Sequence, residues 1–175
     1  MRRVQYRVAA SLDGYIAGAK GETDWIVSEP SIDWGKVYAG FDTVLLGRRT
    51  YELTQQPGAP PWPAGWRVVV FSRTLPSGES HGATFVATDA AARVEALRAE
   101  DGRDIWLFGG GVLASTLLAA GLLDLMEVTI VPVLLGGGIP LLAAGSPRTS
   151  LTLRGSRAYP SGIITLQYEV HHAAA

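Results

Sequence analysis

The stretch Ile105-Trp106-Leu107-Phe108-Gly109-Gly110-Gly111-Val112-Leu113-Ala114-Ser115-Thr116-Leu117-Leu118 decides how this chain is read. Four apolar residues of strand character run into three glycines, and a helix-forming segment follows at once. The pattern predicts a buried strand over Ile105–Phe108 and a helix over Val112–Ala120, closed by Gly121. Glycine at such a corner lets a ligand approach the backbone and tolerates unusual φ and ψ. The N–H groups that open the helix, through Val112 and Leu113, have no partner within it, and the helix dipole favours negative charge beside them. A phosphate fits that corner. A tight strand-to-helix turn that binds nothing has the same sequence, so the rest of the chain must choose.

Two other predicted strands end in comparable corners. Thr43–Leu46 closes on Gly47-Arg48-Arg49-Thr50, which opens a helix read over Arg49–Gln56 and stopped by Pro57-Gly58. A glycine, two guanidinium groups and a hydroxyl gather there, and arginine carries a planar donor fork suited to phosphate oxygens. Arg67–Ser72 ends on Ser72-Arg73-Thr74, two hydroxyls with one more guanidinium. In open α/β sheets, ligands bind beyond the carboxyl ends of the strands. Three such corners suit a ligand with several phosphates, such as a dinucleotide carrying a 2′-phosphate. The chain has neither the Gly-x-Gly-x-x-Gly fingerprint nor a Gly-x-x-x-x-Gly-Lys-Ser/Thr loop, so an ordinary Rossmann or P-loop site is not expected.

Outward from these corners the chain alternates. Val4–Ser11 reads as a first strand, and Ser31–Gly40 as a helix with Ser31 as its N-cap. Thr84–Ala87 reads as a short strand, followed by a helix capped by Thr88 or Asp89 that turns Val94 and Leu97 inward. Past Gly121 the pattern changes to strands: Met126–Leu135, a loop over Gly136–Ser146, and a hairpin of Leu151–Ala158 with Ile163–His171 around Pro160-Ser161-Gly162. Ala173–Ala175 is expected to fray. Alternating strands and helices followed by paired strands imply an α/β fold, a three-layer α/β/α domain. Its sheet is expected to be mixed and mainly parallel, with about eight strands and helices on both faces, and residues 1–175 form one domain.

Composition agrees. With 175 residues, 47% hydrophobic and 18% charged, the chain has enough apolar surface for one core. Fifteen basic and sixteen acidic residues leave a net charge of −1, with no basic stripe for nucleic acid. Cysteine is absent, which excludes disulfides, thiolate metal sites and a cysteine nucleophile. His81, His171 and His172 form no metal-ligand spacing, so no metal is expected. The apolar runs are broken well short of a membrane span, and no signal-length segment opens the chain, so a cytoplasmic protein without membrane contact is expected.

The order of motifs resembles the dihydrofolate reductase superfamily, and most closely its branch containing the reductase domain of bacterial riboflavin biosynthesis. The resemblance rests on Ala9-Ala10-Ser11-Leu12-Asp13-Gly14-Tyr15-Ile16-Ala17, Asp24-Trp25 and Leu46-Gly47-Arg48-Arg49-Thr50-Tyr51-Glu52. It continues through Val70-Phe71-Ser72-Arg73, Phe108-Gly109-Gly110-Gly111 and Val131-Pro132-Val133-Leu134-Leu135-Gly136-Gly137-Gly138. It runs from Val4 to about Tyr168. What it implies is an NADPH-dependent reductase, with Ala9 and Ile16 beside the nicotinamide. Gly47, Arg48, Arg49 and Thr50 would meet the cofactor's phosphates, Ser72 and Arg73 would hold the 2′-phosphate, and Gly109, Gly110 and Gly111 would pass under the pyrophosphate. Members often carry a cis peptide between glycines at this point.

On the substrate side the resemblance implies a small heterocycle. Folate reductases hold it with a carboxylate on the first helix. Here Asp33 is the candidate general acid, with Glu29 and Asp24 as rivals and helix capping as the structural alternative for Asp33. Thr129 matches a position that supports that carboxylate. Asp24 and Trp25 are expected to contact substrate, and Trp25 or Trp34 to stack on it. The leading expectation is a riboflavin-pathway aminopyrimidine reductase (5-amino-6-(5-phosphoribosylamino)uracil reductase-like). A dihydrofolate or other pterin reductase and a nucleotide-binding protein without catalysis are the alternatives. Low charge, the apolar segment Leu122–Leu135 and the C-terminal hairpin also suggest a homodimer, as does the resemblance.

Overall fold

A computed structural model describes residues 1–172; Ala173–Ala175 lie outside the described residues. The strand predicted first, β1 (Val4–Ser11), is the centre of the fold. Its flanks are β7 (Asp104–Gly109) and β8 (Leu125–Val131), both parallel to it, in registers that pair Tyr6 with Leu107 and Ala9 with Thr129. Beyond β7 lie β3 (Phe41–Gly47), β4 (Arg67–Phe71), β6 (Ala83–Val86) and the edge strand β5 (Gly78–Ser80). Beyond β8 lie β11 (Ile164–Val170) and the other edge, β10 (Leu151–Ala158). The sheet therefore has nine strands, in the order β10-β11-β8-β1-β7-β3-β4-β6-β5, one more than expected. The six from β8 to β6 are parallel, so the sheet is mixed and mainly parallel.

Helices cover both faces, as the alternation predicts. On one face α3 (Ala90–Ala99) and α4 (Gly111–Ala119) seal a core of Val4, Tyr6, Leu45, Leu97, Leu107 and Leu117. On the other, α2 (Arg48–Thr54) and the Trp62–Trp66 loop cover Val44, Leu46, Val68 and Val70. The first helix, α1 (Trp34–Ala39), starts three residues later than the sequence reading, and its N-cap is Asp33 rather than Ser31. Ser31 instead gives its N–H and hydroxyl to Glu29 Oε1 (3.1 and 2.6 Å).

Three short strands went unforeseen because each has only two or three residues, too few to show a period. They are β5 and the separate ribbon of β2 (Tyr15–Ala17) with β9 (Ile139–Pro140). Within the apolar segment Leu122–Leu135, the side chains of Leu122, Leu123, Met126 and Val131 are buried in the core, whereas Leu134 is exposed.

The two ends of the parallel strands differ in kind. At the N-terminal end the buried Arg2 is tied to Asp42 and Thr43 of β3 and to the carbonyl of Arg103. That end is stitched shut. The C-terminal end is open.

Candidate active site

The C-terminal ends of β1, β7, β3 and β4 open on one cleft of about 2000 Å³. Ordinary small-molecule pockets reach about 1,000 Å³, so the space suits an extended ligand together with a second molecule.

The helices show where charge is wanted. α1 and α3 are capped by aspartate: Asp33 accepts from Lys36 N and Asp89 from Ala92 N, each at 3.1 Å. α2 and α4 both begin on glycine, Gly47 and Gly110, and neither has a side-chain cap. The first bond of α4 runs from Ala114 N to Gly110 O (2.9 Å), leaving the amides of Gly111, Val112 and Leu113 ahead of the ladder. These two uncapped ends adjoin, since a Cβ added to Gly110 would lie 3.8 Å from Gly47 Cα. Bare N–H groups and two positive dipole ends thus converge on one spot.

The glycines serve different ends. Gly110 has φ +106°, a conformation that L side chains rarely adopt. At Gly111 a Cβ would collide with the Pro140 carbonyl, so there the packing of β9 requires glycine. All peptide bonds of the described residues are trans, so the cis bond implied by the resemblance is absent. Thr50 packs against Gly109 and joins the first and second corners.

Arg48 pairs with Glu52 of its own helix (2.6 Å). Arg49 and Arg73 make no ion pair among the described residues, and both line the cleft. The Ser72 Oγ accepts from Thr74 N and Leu75 N (3.2 and 3.0 Å), which fixes the turn carrying Arg73 and leaves its O–H able to donate. Ala9 and Ile16 lie along the same cleft, as do Val112 and Leu113. The sequence therefore brings all three corners together.

Two motifs of the resemblance turn out to be joinery. Ser11 Oγ donates to Asp13 (2.6 Å), and Asp13 accepts from the amides of Leu135 and Gly136 (3.1 and 2.7 Å). Those bonds, the one from Ser11 foremost, hold the Asp13 carboxyl below its ordinary pKa. The clip sets the β2–β9 ribbon, which carries Ile16 and Pro140, over the cleft.

On the other side of Ala9, the cleft floor is the polar face of three strands. Cross-strand registers place Arg7, Glu127 and Gln167 in one row and Ala9, Thr129 and Thr165 in the next. Arg7 is ion-paired with Glu127, and Gln167 Nε2 donates to the same carboxylate (3.1 Å). Thr129 and Thr165 share a hydrogen bond of 3.2 Å. Tyr38 and Trp106 flank this floor, 5.9 Å apart between ring centroids, and Trp34 continues the aromatic wall to the rim.

The expected substrate residues divide. Thr129 is on the floor. Asp33 lines the rim with its side chain 56% exposed, and its carboxylate caps α1 and faces Lys36. Asp24 and Trp25 do not line the cleft; they sit in a turn where Trp25 Nε1 donates to the Glu22 carbonyl (3.1 Å). Glu29 is buried and receives Ser31 and Ser161. Hydrogen bonds from Ser161 and then Ser31 hold its pKa down to about 2.

The sequence reading missed Arg7, Glu127, Gln167, Tyr38 and Trp106. A signal existed. Arg7 and Glu127 are charges inside strands that otherwise read as core, a placement that is rare unless the charges are paired.

Comparisons with known proteins agree with this geometry. A model of the RibD C-terminal domain family matches residues 2–165. The uncharacterized protein YyaP of Bacillus subtilis is 32% identical over 95% of this chain and 94% of its own length. The riboflavin biosynthesis protein RibD of Mycobacterium tuberculosis is 34% identical over 78% of the chain, which spans 44% of that longer protein. A crystal structure of a putative riboflavin biosynthesis protein from Shewanella sp. PV-4 superposes with a TM-score of 0.82 at 26% identity, covering 97% of this chain and 99% of that one.

Proposed function

The chain belongs to the RibD C-terminal domain family, and on that premise we propose that it is an NADPH-dependent reductase of riboflavin-pathway type acting on a small nitrogen heterocycle. The observation that carries this reading is the pair of uncapped helix starts at Gly47 and Gly110, adjacent to each other and edged by Arg49 and Arg73. A dinucleotide pyrophosphate is the ligand that such an arrangement of amides and dipoles suits. The donor set fits such a ligand: the amides opening α2 and α4 would meet the pyrophosphate, and Ser72 with Arg73 would meet the 2′-phosphate.

NADPH supplies the hydride, and the protein supplies binding, orientation and electrostatics. Ala9, small and on the cleft floor, would allow a nicotinamide close approach, and Thr129 with the Arg7–Glu127 row would hold the acceptor. Asp33 is occupied by the α1 terminus and Glu29 by Ser31 and Ser161, so neither is assigned as the acid, and water in the open cleft is the proton source in this reading. A pterin reductase calls for a first-helix carboxylate facing substrate, and the capping role of Asp33 argues against it.

A homodimer completes the reading. β10 is an open edge strand with Leu153 half exposed and Leu151 beside it. Such an edge invites pairing with a second copy.

The test is direct. NADPH and NADH are titrated against the purified protein, followed by NADPH oxidation at 340 nm with aminopyrimidine and pterin acceptors. Tighter NADPH binding with turnover of the aminopyrimidine is expected. Equal affinity for the two cofactors removes the 2′-phosphate assignment. Tight binding without turnover of any acceptor moves the protein to the non-catalytic alternative.

A further inference from the structure

We infer that Glu127 and Arg7 together read one edge of the substrate ring, selecting heterocycles that present an N–H beside a C=O. The inference rests on the reductase reading for its setting and goes beyond it in naming the residues and the chemical edge.

Four carboxylates line the cleft: Glu29, Asp33, Glu52 and Glu127. Three are spent. Glu29 has both oxygens engaged by Ser31 and Ser161, Asp33 serves the α1 terminus and Lys36, and Glu52 serves Arg48. Glu127 is different. Its Oε2 receives both Arg7 Nη2 and Gln167 Nε2, while Oε1 has no partner among the described residues. The side chain is only 17% exposed, yet Oε1 is not among the buried orphan atoms, so it still reaches the cleft. The same holds for Arg7 Nη1, on a side chain 16% exposed, whose Nε is the buried atom left without a partner.

The result is a fixed acceptor and a fixed donor side by side, pinned by their mutual ion pair. A carboxylate oxygen accepts only, and a guanidinium N–H donates only. The complementary partner is a lactam edge, in which a ring N–H adjoins a carbonyl. Tyr38 and Trp34 form the accessible part of an aromatic wall beside this pair, backed by the buried Trp106, whose Nε1 donates to the Arg7 carbonyl (3.1 Å). A flat ring stacked there would present its edge to the pair. Carboxylate recognition thus comes from strand β8 in the sheet, and from no residue of α1.

Glu127→Gln gives a signature that packing loss does not. Arg7 and Gln167 are both donors and take the new amide oxygen, which leaves an NH₂ facing the cleft where an acceptor stood. The probes are uracil, which has N–H beside C=O, and 1,3-dimethyluracil, which keeps the carbonyls and loses both N–H groups. Binding is measured by ligand-observed NMR with and without NADPH, alongside NADPH titration of each variant.

Wild type is expected to prefer uracil by tenfold or more, and Glu127→Gln to lose that preference with its NADPH affinity unchanged. The Arg7→Gln/Glu127→Gln double variant removes both charges, keeps the row hydrogen-bonded and is expected to lose the preference too, should the single variant fail to fold. Equal binding of the two rings by wild type, binding of neither, or a preference that survives in a folded variant overturns the inference. Uracil preference without any NADPH binding leaves this subsite standing and removes the reductase reading instead.

Discussion

Replacing Gly110 by alanine separates what the chain needs from what its ligand needs. Gly110 sits at φ +106° and ψ +102°, outside the left-handed helical well, and a side-chain-bearing residue held in such sparsely populated backbone costs roughly 1–3 kcal/mol. No steric term adds to this, because the nearest atoms to the new Cβ, Gly47 Cα and Leu113 Cβ, lie 3.8 Å away. For a chain of this size each kcal/mol moves Tm by about 2–4 °C, so Gly110→Ala is expected to melt roughly 2–12 °C lower and still fold. The same methyl stands between the amides opening α2 and α4. A phosphate displaced from one charge-assisted hydrogen bond loses about 1.5–3 kcal/mol, which is roughly ten- to more than a hundredfold in NADPH affinity. Differential scanning fluorimetry reads the first quantity and quenching of tryptophan fluorescence by NADPH the second. Gly111→Ala is the contrast: its Cβ meets the Pro140 carbonyl, so its main loss is in folding yield and Tm. A Gly110→Ala protein that melts lower and binds NADPH like wild type would refute the placement of the pyrophosphate.

Arg73→Ala is expected to lose about 1.5–3 kcal/mol of NADPH affinity, the worth of a charged hydrogen bond, and to leave NADH nearly unchanged; equal losses in parallel titrations would count against Arg73 reading the 2′-phosphate. Asp33→Asn keeps a good N-cap and is expected to hold turnover within a few-fold, whereas Asp33→Ala removes the cap and is expected to lower Tm. A fall of roughly two to four orders of magnitude for the asparagine variant would instead make Asp33 the acid. The Glu29 carboxyl titrates near 2 rather than its ordinary 4.5, so its contribution is complete above 4.5 and is lost as pH falls towards 2. Hydrogen exchange is expected to show segment 18–33 losing protection across that window ahead of β1; parallel loss in both would sink the assignment. Light scattering at micromolar concentration is expected to give a dimer, and Leu153→Lys on the β10 edge to give a monomer.

Much of this was readable because the parallel strands announce themselves. Thr43–Leu46, Arg67–Ser72 and Ile105–Phe108 are apolar runs closed by polar or glycine corners, and those corners meet at one end of the cleft. The strand-built floor was harder. Arg7, Glu127 and Gln167 come from three strands far apart in sequence, and only cross-strand register sets them in a row. The helix expected to begin at Ser31 begins at Trp34 because Ser31 has a better use, holding Glu29. Asp24-Trp25 carried the resemblance yet lies off the cleft, since a turn bond to Glu22 claims the indole. Ser-Leu-Asp-Gly and Leu-Leu-Gly-Gly-Gly were legible as motifs, but their shared purpose, the Asp13 clip, was not.

The position of β1 has a consequence for how the protein is made. The strand is synthesised well before its two neighbours, residues 104–109 and 125–131. Synthesis proceeds at about 5–20 residues per second, so β1 waits roughly 5–20 s with both edges unpaired. Val4, Tyr6 and Ala10, all buried in the finished fold, are exposed throughout that interval. The nascent chain therefore carries a long-lived apolar segment that needs cover, and a ribosome stalled before residue 125 displays a sheet with its central strand half-paired.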